Sequence, residues 1–280
     1  MRPQLIGKKI LAIGLHIIFI FVALIQVYPL IWLAFFSLKD NAQIFGGNVA
    51  GFPQPVIWGN YNYVATKGNV GIYFLNSLIV TIATLALSSL LIAMSAYGLV
   101  RMRWKLQNAV YFYLLLGLMI PIHAVLLPLF IILQNLSMIN TYWALVIPYT
   151  VFAIPFGISV MRSTLLGIPK EIEESACIDG CNAYRMFFRI VFPLLRGSLV
   201  TISIFTFLSC WNELMLAITY LNKQNLKTLT AGVMSLCGQF STDWGIIGAG
   251  LFITVLPVLI FYCLIGKKIQ GSLLAGAIKG

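Results

Sequence analysis

Four of the seven acidic residues of this 280-residue chain fall in one short stretch, as Glu171, Glu173, Glu174 and Asp179. Ile168-Pro169-Lys170-Glu171-Ile172-Glu173-Glu174 opens like a helix, because proline fits a first turn and carboxylates there complement the positive end of the helix dipole. Gly180 ends that helix, as the residue that takes a left-handed C-cap without penalty. A second chemically capable group is Trp211-Asn212-Glu213, in which an aromatic face and a carboxylate suit a hydroxyl-rich ligand. An exposed carboxylate in an apolar span costs roughly 2.5–3.5 kcal/mol, so Glu213 should face a helix bundle or a wet cavity. It either lines a path or makes a structural hydrogen bond to a neighbouring helix. Cys177 and Cys181 stand four apart without a second pair, so free thiols are expected and no metal. His16 and His123 lie in apolar stretches without spaced acids, which fits helix packing better than a proton relay.

The elements that must position these residues are hydrophobic. The chain is 60% hydrophobic and only 9% charged, with a formal net charge of +11. Its mean hydropathy is +0.97. A soluble fold is excluded at that composition, since soluble domains carry roughly 25% charged residues. Six stretches meet the roughly 20 apolar residues a membrane-spanning helix needs: 10–36, 74–100, 108–133, 142–161, 199–221 and 245–266. Of all the charged residues only Glu213 lies inside one of them. The expectation is an all-α membrane protein of six transmembrane helices, a single transmembrane domain over residues 1–280.

Basic residues orient it. With the N-terminus in the cytoplasm, fourteen of the 18 Lys and Arg fall in inner segments, and only Lys39, Lys67, Lys223 and Lys227 fall outside. By the positive-inside rule both termini are cytoplasmic, in a multi-pass protein of the lipid bilayer. The surplus charge therefore gives no support to nucleic acid as a partner. The first span follows a basic start but is too long for a cleaved signal, so it is expected to stay attached. Pro29, Pro121, Pro128, Pro148, Pro155 and Pro257 lie within spans, where each tends to kink the axis. Thr84/Ser88 and Ser89/Ala93 make a small-residue packing face. The outer segment 37–73 reads as an ordered loop able to meet a partner, with Gly, Pro, Asn and aromatics throughout.

Residues 162–198 then form the longest cytoplasmic connection. After Gly180 a second helical pattern places Tyr184, Phe187, Phe188 and Val191 on one face, with Arg185 and Arg189 on another, until Pro193 stops it. Glu174-Ser175-Ala176, three residues, Gly180, nine residues, Ile190, one residue, Phe192 and Pro193 resembles the EAA loop of permease subunits of binding-protein-dependent ABC importers. Ser175 stands where that pattern has alanine, and Phe192 where it has leucine. Phe36-Ser37-Leu38-Lys39, Trp211-Asn212-Glu213 and the closing Ala275-Gly276-Ala277-Ile278-Lys279-Gly280 are similar to the carbohydrate importers, and to the second permease of maltose-type pairs.

The resemblance implies the type I ABC importer permease architecture and import of a sugar or oligosaccharide by alternating access, in a prokaryotic inner or plasma membrane. It implies a homologous second permease, two ATP-binding cassette subunits and an extracytoplasmic solute-binding protein as partners. Glu173, Glu174, Ser175, Ala176, Asp179, Gly180, Ile190 and Pro193 would then couple to the ATPase. Trp211, Asn212 and Glu213 are candidates for the substrate path, and Ala275, Gly276 and Lys279 for a tail contact with the ATPase. No G-x-x-x-x-G-K-[ST], HExxH or G-x-S-x-G occurs, so no catalysis is expected here, and ATP with Mg would be bound by partner subunits. The remaining alternatives are a permease for a non-sugar solute and a secondary transporter or channel.

Overall fold

The computed structural model describes the backbone of residues 2–238 and 242–277, and side chains over 12–238 and 242–264. Its described residues form helices and no strand. Among the described residues four helices are long and apolar enough to cross a membrane. They are α1 (Arg2–Phe36, apolar from Ala12), α4 (Val70–Val100), α7 (Trp143–Leu166) and α14 (Trp244–Ala277, apolar to Leu264). Two bent pairs bring the number to six if each counts as one span.

The expected continuous spans at 108–133 and 199–221 are both interrupted, the first by one of these bends and the second by a break at Glu213. The first is broken by 93° between Gln107–Met119 and Ile122–Asn135. Ile120 is extended there because Pro121 follows it, and a residue before proline is pushed out of the helical region. The other bent pair turns by 72° at Leu195, between Ala183–Leu194 and Arg196–Asn212. The second span breaks at Glu213, whose ψ of 132° is extended, before a six-residue helix Met215–Tyr220. Pro29, Pro148, Pro155 and Pro257 are carried inside helices. Pro128 sits in the first turn of α6 (Leu126–Asn135), where its missing N–H would be unpaired anyway.

The chain divides into two compact units. One comprises residues 1–70 and 233–256, and its 37–70 segment is built on buried polar contacts. Lys39 is fully buried and donates to the carbonyls of Asn48 at 2.5 Å and Val49 at 3.2 Å. Burial holds its amine below the usual lysine range. Asn60 donates to the carbonyls of Ser37 and Lys39, and Asp40 caps the short helix α2 (Asn41–Phe45) by accepting from the Gln43 N–H. The first part of α14 packs closely here. A Cβ on Gly248 would stand 2.6 Å from the Phe36 ring, so only glycine allows that approach.

The other unit, residues 71–232 and 257–280, holds two apolar clusters. In the first, Ile92, Ala93 and Ala96 of α4 meet Ile158, Met161 and Leu165 of α7, together with Ala176, Phe187 and Val191. In the second, Val80 of α4 meets Leu145 and Tyr149 of α7, together with Leu216 and Tyr220. Thr84, Ser88 and Ala93 are buried, so the small-residue face of α4 is a packing face.

Candidate functional site

The acidic helix is α8 (Glu171–Ile178). Its end is a Schellman cap, with the Cys181 N–H bonded to the Ala176 carbonyl and the Gly180 N–H to the Cys177 carbonyl, both at 3.0 Å. Gly180 has φ +77°, which a side chain would strain, and no heavy atom lies within 4 Å of where its Cβ would be. Asn182 restarts the chain by accepting from the Arg185 N–H at 2.9 Å. The second helical segment runs from α9 (Ala183–Arg185) through a π-helical turn, Met186–Val191, to α10 (Phe192–Leu194). Pro193 offers no N–H to that widened turn, and the segment ends two residues later at the bend into α11 (Arg196–Asn212).

The three carboxylates of α8 divide. Glu173 turns inward, where its Oε1 accepts from Arg101 Nε at 2.5 Å and its Oε2 from the Tyr97 hydroxyl at 3.3 Å. Glu171 and Glu174 are exposed. The start of α8 is at Lys170, which supplies no side-chain cap, and Glu174 does not fill that role. Ser175 is exposed with its hydroxyl turned onto the Glu171 carbonyl, whereas Ala176 is buried in the first apolar cluster. Asp179 is exposed, while Ile190 and Pro193 are half-buried, with Ile190 packed on the same cluster. Ile178 is 88% exposed and Tyr184 76%, so the tip of the unit presents apolar side chains.

The candidate path residues separate. Asn212 and Glu213 line a cavity of about 680 Å³, shared with Ile120, His123, Tyr149 and Phe205. Trp211 does not reach it. That side chain is 2% exposed, stacked on Phe207 at 5.6 Å between ring centres and edge-on to Phe74 at 5.7 Å. Glu213 does more than line the wall. Its Oε1 accepts from the Leu216 N–H at 2.8 Å and its Oε2 from the Ala217 N–H at 3.2 Å, capping α12 (Met215–Tyr220). Tyr149 also donates to Oε2, at 2.6 Å, and Thr230 donates to the Glu213 carbonyl at 2.8 Å. Both breaks, at Ile120–Pro121 and at Glu213–Leu214, therefore border one cavity. His123 is exposed on its wall and is not a buried packing residue, as the sequence suggested.

Of the tail residues, Ala275 and Gly276 fall within the backbone of α14 but their side chains lie outside the described set, as does Lys279 altogether. Arg101, Tyr97 and Tyr149 are the residues that sequence reasoning missed. Among the described residues no cluster of His, Cys, Asp and Glu is placed to hold a metal, and the five cysteines are free thiols.

A family model described as "Binding-protein-dependent transport system inner membrane component" matches residues 88–267. The chain is 38% identical to a protein of Bacillus subtilis named "Probable ABC transporter permease protein YurM", over 94% of this chain and 87% of that one. It is 33% identical to the "Diacetylchitobiose uptake system permease protein NgcG" of Streptomyces coelicolor, over 94% and 88%. Its fold is similar to a chain in the crystal structure of a bacterial ABC transporter involved in import of the acidic polysaccharide alginate. That likeness has a TM-score of 0.81 at 21% identity, covering 93% of this chain and 97% of that one.

Proposed function

Because the chain belongs to the binding-protein-dependent transport inner membrane components, a family of non-catalytic permease subunits of ABC transporters, we propose that it imports a neutral, hydroxyl-rich solute, a sugar or oligosaccharide. Permeases related over most of the chain are named for such solutes, diacetylchitobiose among them. In this reading six spans cross a prokaryotic inner or plasma membrane, counting each bent pair once, with both termini in the cytoplasm. The partners are a homologous second permease, two ATP-binding cassette subunits that hold ATP and Mg, and an extracytoplasmic solute-binding protein.

The observation that carries the reading is the capped helix α8, held against α4 by Arg101 and Glu173 and presenting Glu171, Glu174 and Ile178 outward. A short rigid projection suits the transfer of a nucleotide-driven motion better than a flexible loop. Gly180 permits the turn, and Ala176 packs α8 down on the bundle. The solute would pass the cavity at Asn212 and Glu213. The lining includes Thr206, Ser209, Asn212 and His123 beside aromatic faces and no Lys or Arg, which suits hydroxyls rather than anions. Helix breaks support this, since interrupted spans free backbone groups beside a wet cavity. The closing tail, with Ala275, Gly276 and Lys279, would enter the ATPase dimer.

The test is purification of the tagged chain from detergent-extracted membranes, followed by reconstitution. The reading expects an ATP-binding cassette subunit to co-purify and uptake of a neutral oligosaccharide to require ATP and binding protein. Uptake driven by an ion gradient, with no ATPase subunit present, would favour a secondary transporter.

A further inference from the structure

Arg101 stands at the end of α4 and binds two points that flank the start of α8. Its Nε donates to Glu173 at 2.5 Å and its Nη2 to the Ile168 carbonyl at 2.8 Å. The pair is enclosed, with side-chain exposures of 6% for Arg101 and 14% for Glu173, and it is the only ion pair among the described residues. Tyr97, one turn earlier on α4, donates to the other Glu173 oxygen and lies against Phe187 of the second helical segment, with ring centres 5.4 Å apart. A guanidinium can serve a carboxylate and a carbonyl at once through its fixed fork, which an ammonium cannot match. Glu173 is thus committed within the chain, and only Glu171 and Glu174 of α8 remain free to meet another subunit.

The opposite end of α4 is tied as firmly. Asn76 donates to the carbonyls of Asn225 and Lys227, each at 2.9 Å, and accepts from the Tyr142 hydroxyl at 2.7 Å. Ser77 accepts from the Leu229 N–H at 2.8 Å, and the Tyr73 hydroxyl accepts from Gln224 at 2.6 Å. Asn76, Ser77 and Tyr73 are all buried. Between these ties α4 runs as one helix with no proline inside it. At 1.5 Å per residue the distance from Asn76 to Arg101 is about 38 Å, which exceeds the roughly 30 Å of a hydrocarbon core. No proline and no π-turn interrupts α4, which is a single α-helix throughout.

We infer that α4 is the rod that carries displacement of α8 across the membrane to the 222–229 segment, with Arg101 and Asn76 as the positioning residues that fix its two ends. This rests on the proposed ATPase partnership, because the displacement of α8 is what nucleotide binding would supply. A purely structural role predicts that loosening either tie changes stability. A transmission role predicts in addition that it disconnects the far segment from the nucleotide.

The experiment is hydrogen exchange followed by mass spectrometry on the detergent-solubilised complex, with and without ATP and orthovanadate. In the wild type, trapping should change amide exchange across 222–229 by at least about threefold. Arg101→Ala should keep the ATPase subunits and lose that response. Asn76→Ala should lose it too, although Asn76 is far from α8. The charge-exchanged double variant Arg101→Glu/Glu173→Arg should regain part of it, where each single variant does not. A wild-type complex that traps nucleotide without any change at 222–229 overturns the inference while leaving the importer reading in place. Variants that respond like the wild type overturn it as well. Should Arg101→Ala fail to assemble, Asn76→Ala decides alone, and an unchanged response there is contradictory. A wild-type chain that never co-purifies with an ATPase overturns the importer reading and the inference with it.

Discussion

The hydroxyl of Tyr149 donates to Oε2 of Glu213 at 2.6 Å, joining the N-terminal third of α7 to the break between α11 and α12. The same carboxylate receives the Leu216 and Ala217 N–H groups. One ionisable side chain therefore satisfies the start of a helix beside the cavity, while Asn212 next to it donates to the Leu208 carbonyl. The charge that looked anomalous in the sequence is what lets the span be interrupted.

Glu213→Ala should accordingly destabilise the detergent-solubilised protein by about 2–3 kcal/mol, since two N–H groups and a phenol lose their acceptor. Tyr149→Phe should cost about 1 kcal/mol, because the backbone cap survives it. The two losses should be less than additive, as expected for groups in one network. Thermal unfolding followed by tryptophan fluorescence measures this, and full additivity would separate the two residues.

Gly180→Val should cost on the order of 1–2 kcal/mol locally, because φ there is +77° and a β-branched side chain meets its own backbone. Open space around the position means that backbone strain is the whole effect. Gly180→Asn, which tolerates the left-handed region, should retain most of the assembly with the ATPase. Comparing ATPase co-purification for the two variants at matched expression checks it, and equal loss in both would implicate size rather than conformation.

Lys39→Met should loosen the 41–55 segment, since the carbonyls of Asn48 and Val49 lose their donor. Burial lowers the Lys39 pKa in the folded state below its ordinary 10.5, so the unfolded chain holds that proton more tightly. The contribution of this group to stability therefore rises with pH from the lowered value up to the unfolded one. Unfolding of the wild type between neutral and alkaline pH should carry a component with that sign, and Lys39→Met should lack it.

Orientation is open to a labelling experiment. Cysteines at Ala42 and Trp58, both exposed, should react with a membrane-impermeant thiol reagent in intact cells. A cysteine at Lys105 should react only after permeabilisation. The reverse pattern would invert the charge argument.

The long helices were legible because a hydropathy pattern counts apolar residues, and α1, α4, α7 and α14 are made of little else. The capped helix α8 was legible because Glu171, Glu173, Glu174 and Gly180 are local signals with local causes. The breaks were hidden for the converse reason, since hydropathy does not register backbone continuity. Pro121 was noticed as a kink, whereas the 93° turn depends on Ile120 becoming extended before it. At Glu213 the signal was the unpaired charge itself, three and four residues before the amides it caps. Arg101 and Glu173 are 72 positions apart, so only the packing of α4, α7 and α8 brings them together. Trp211 looked like a ligand platform by type and is core by position.

The account's central claim is that α8 docks on an ATPase, and a photo-crosslinking amino acid placed at Ile178 tests it most directly. That side chain is 88% exposed at the tip of the helix, so the replacement disturbs no internal contact. In membranes from cells expressing the whole transporter, the account predicts one dominant adduct, containing a subunit with a G-x-x-x-x-G-K-[ST] nucleotide-binding loop, and its loss in Gly180→Val. Absence of such an adduct in an assembled wild-type complex, or one that persists undiminished in Gly180→Val, would contradict it.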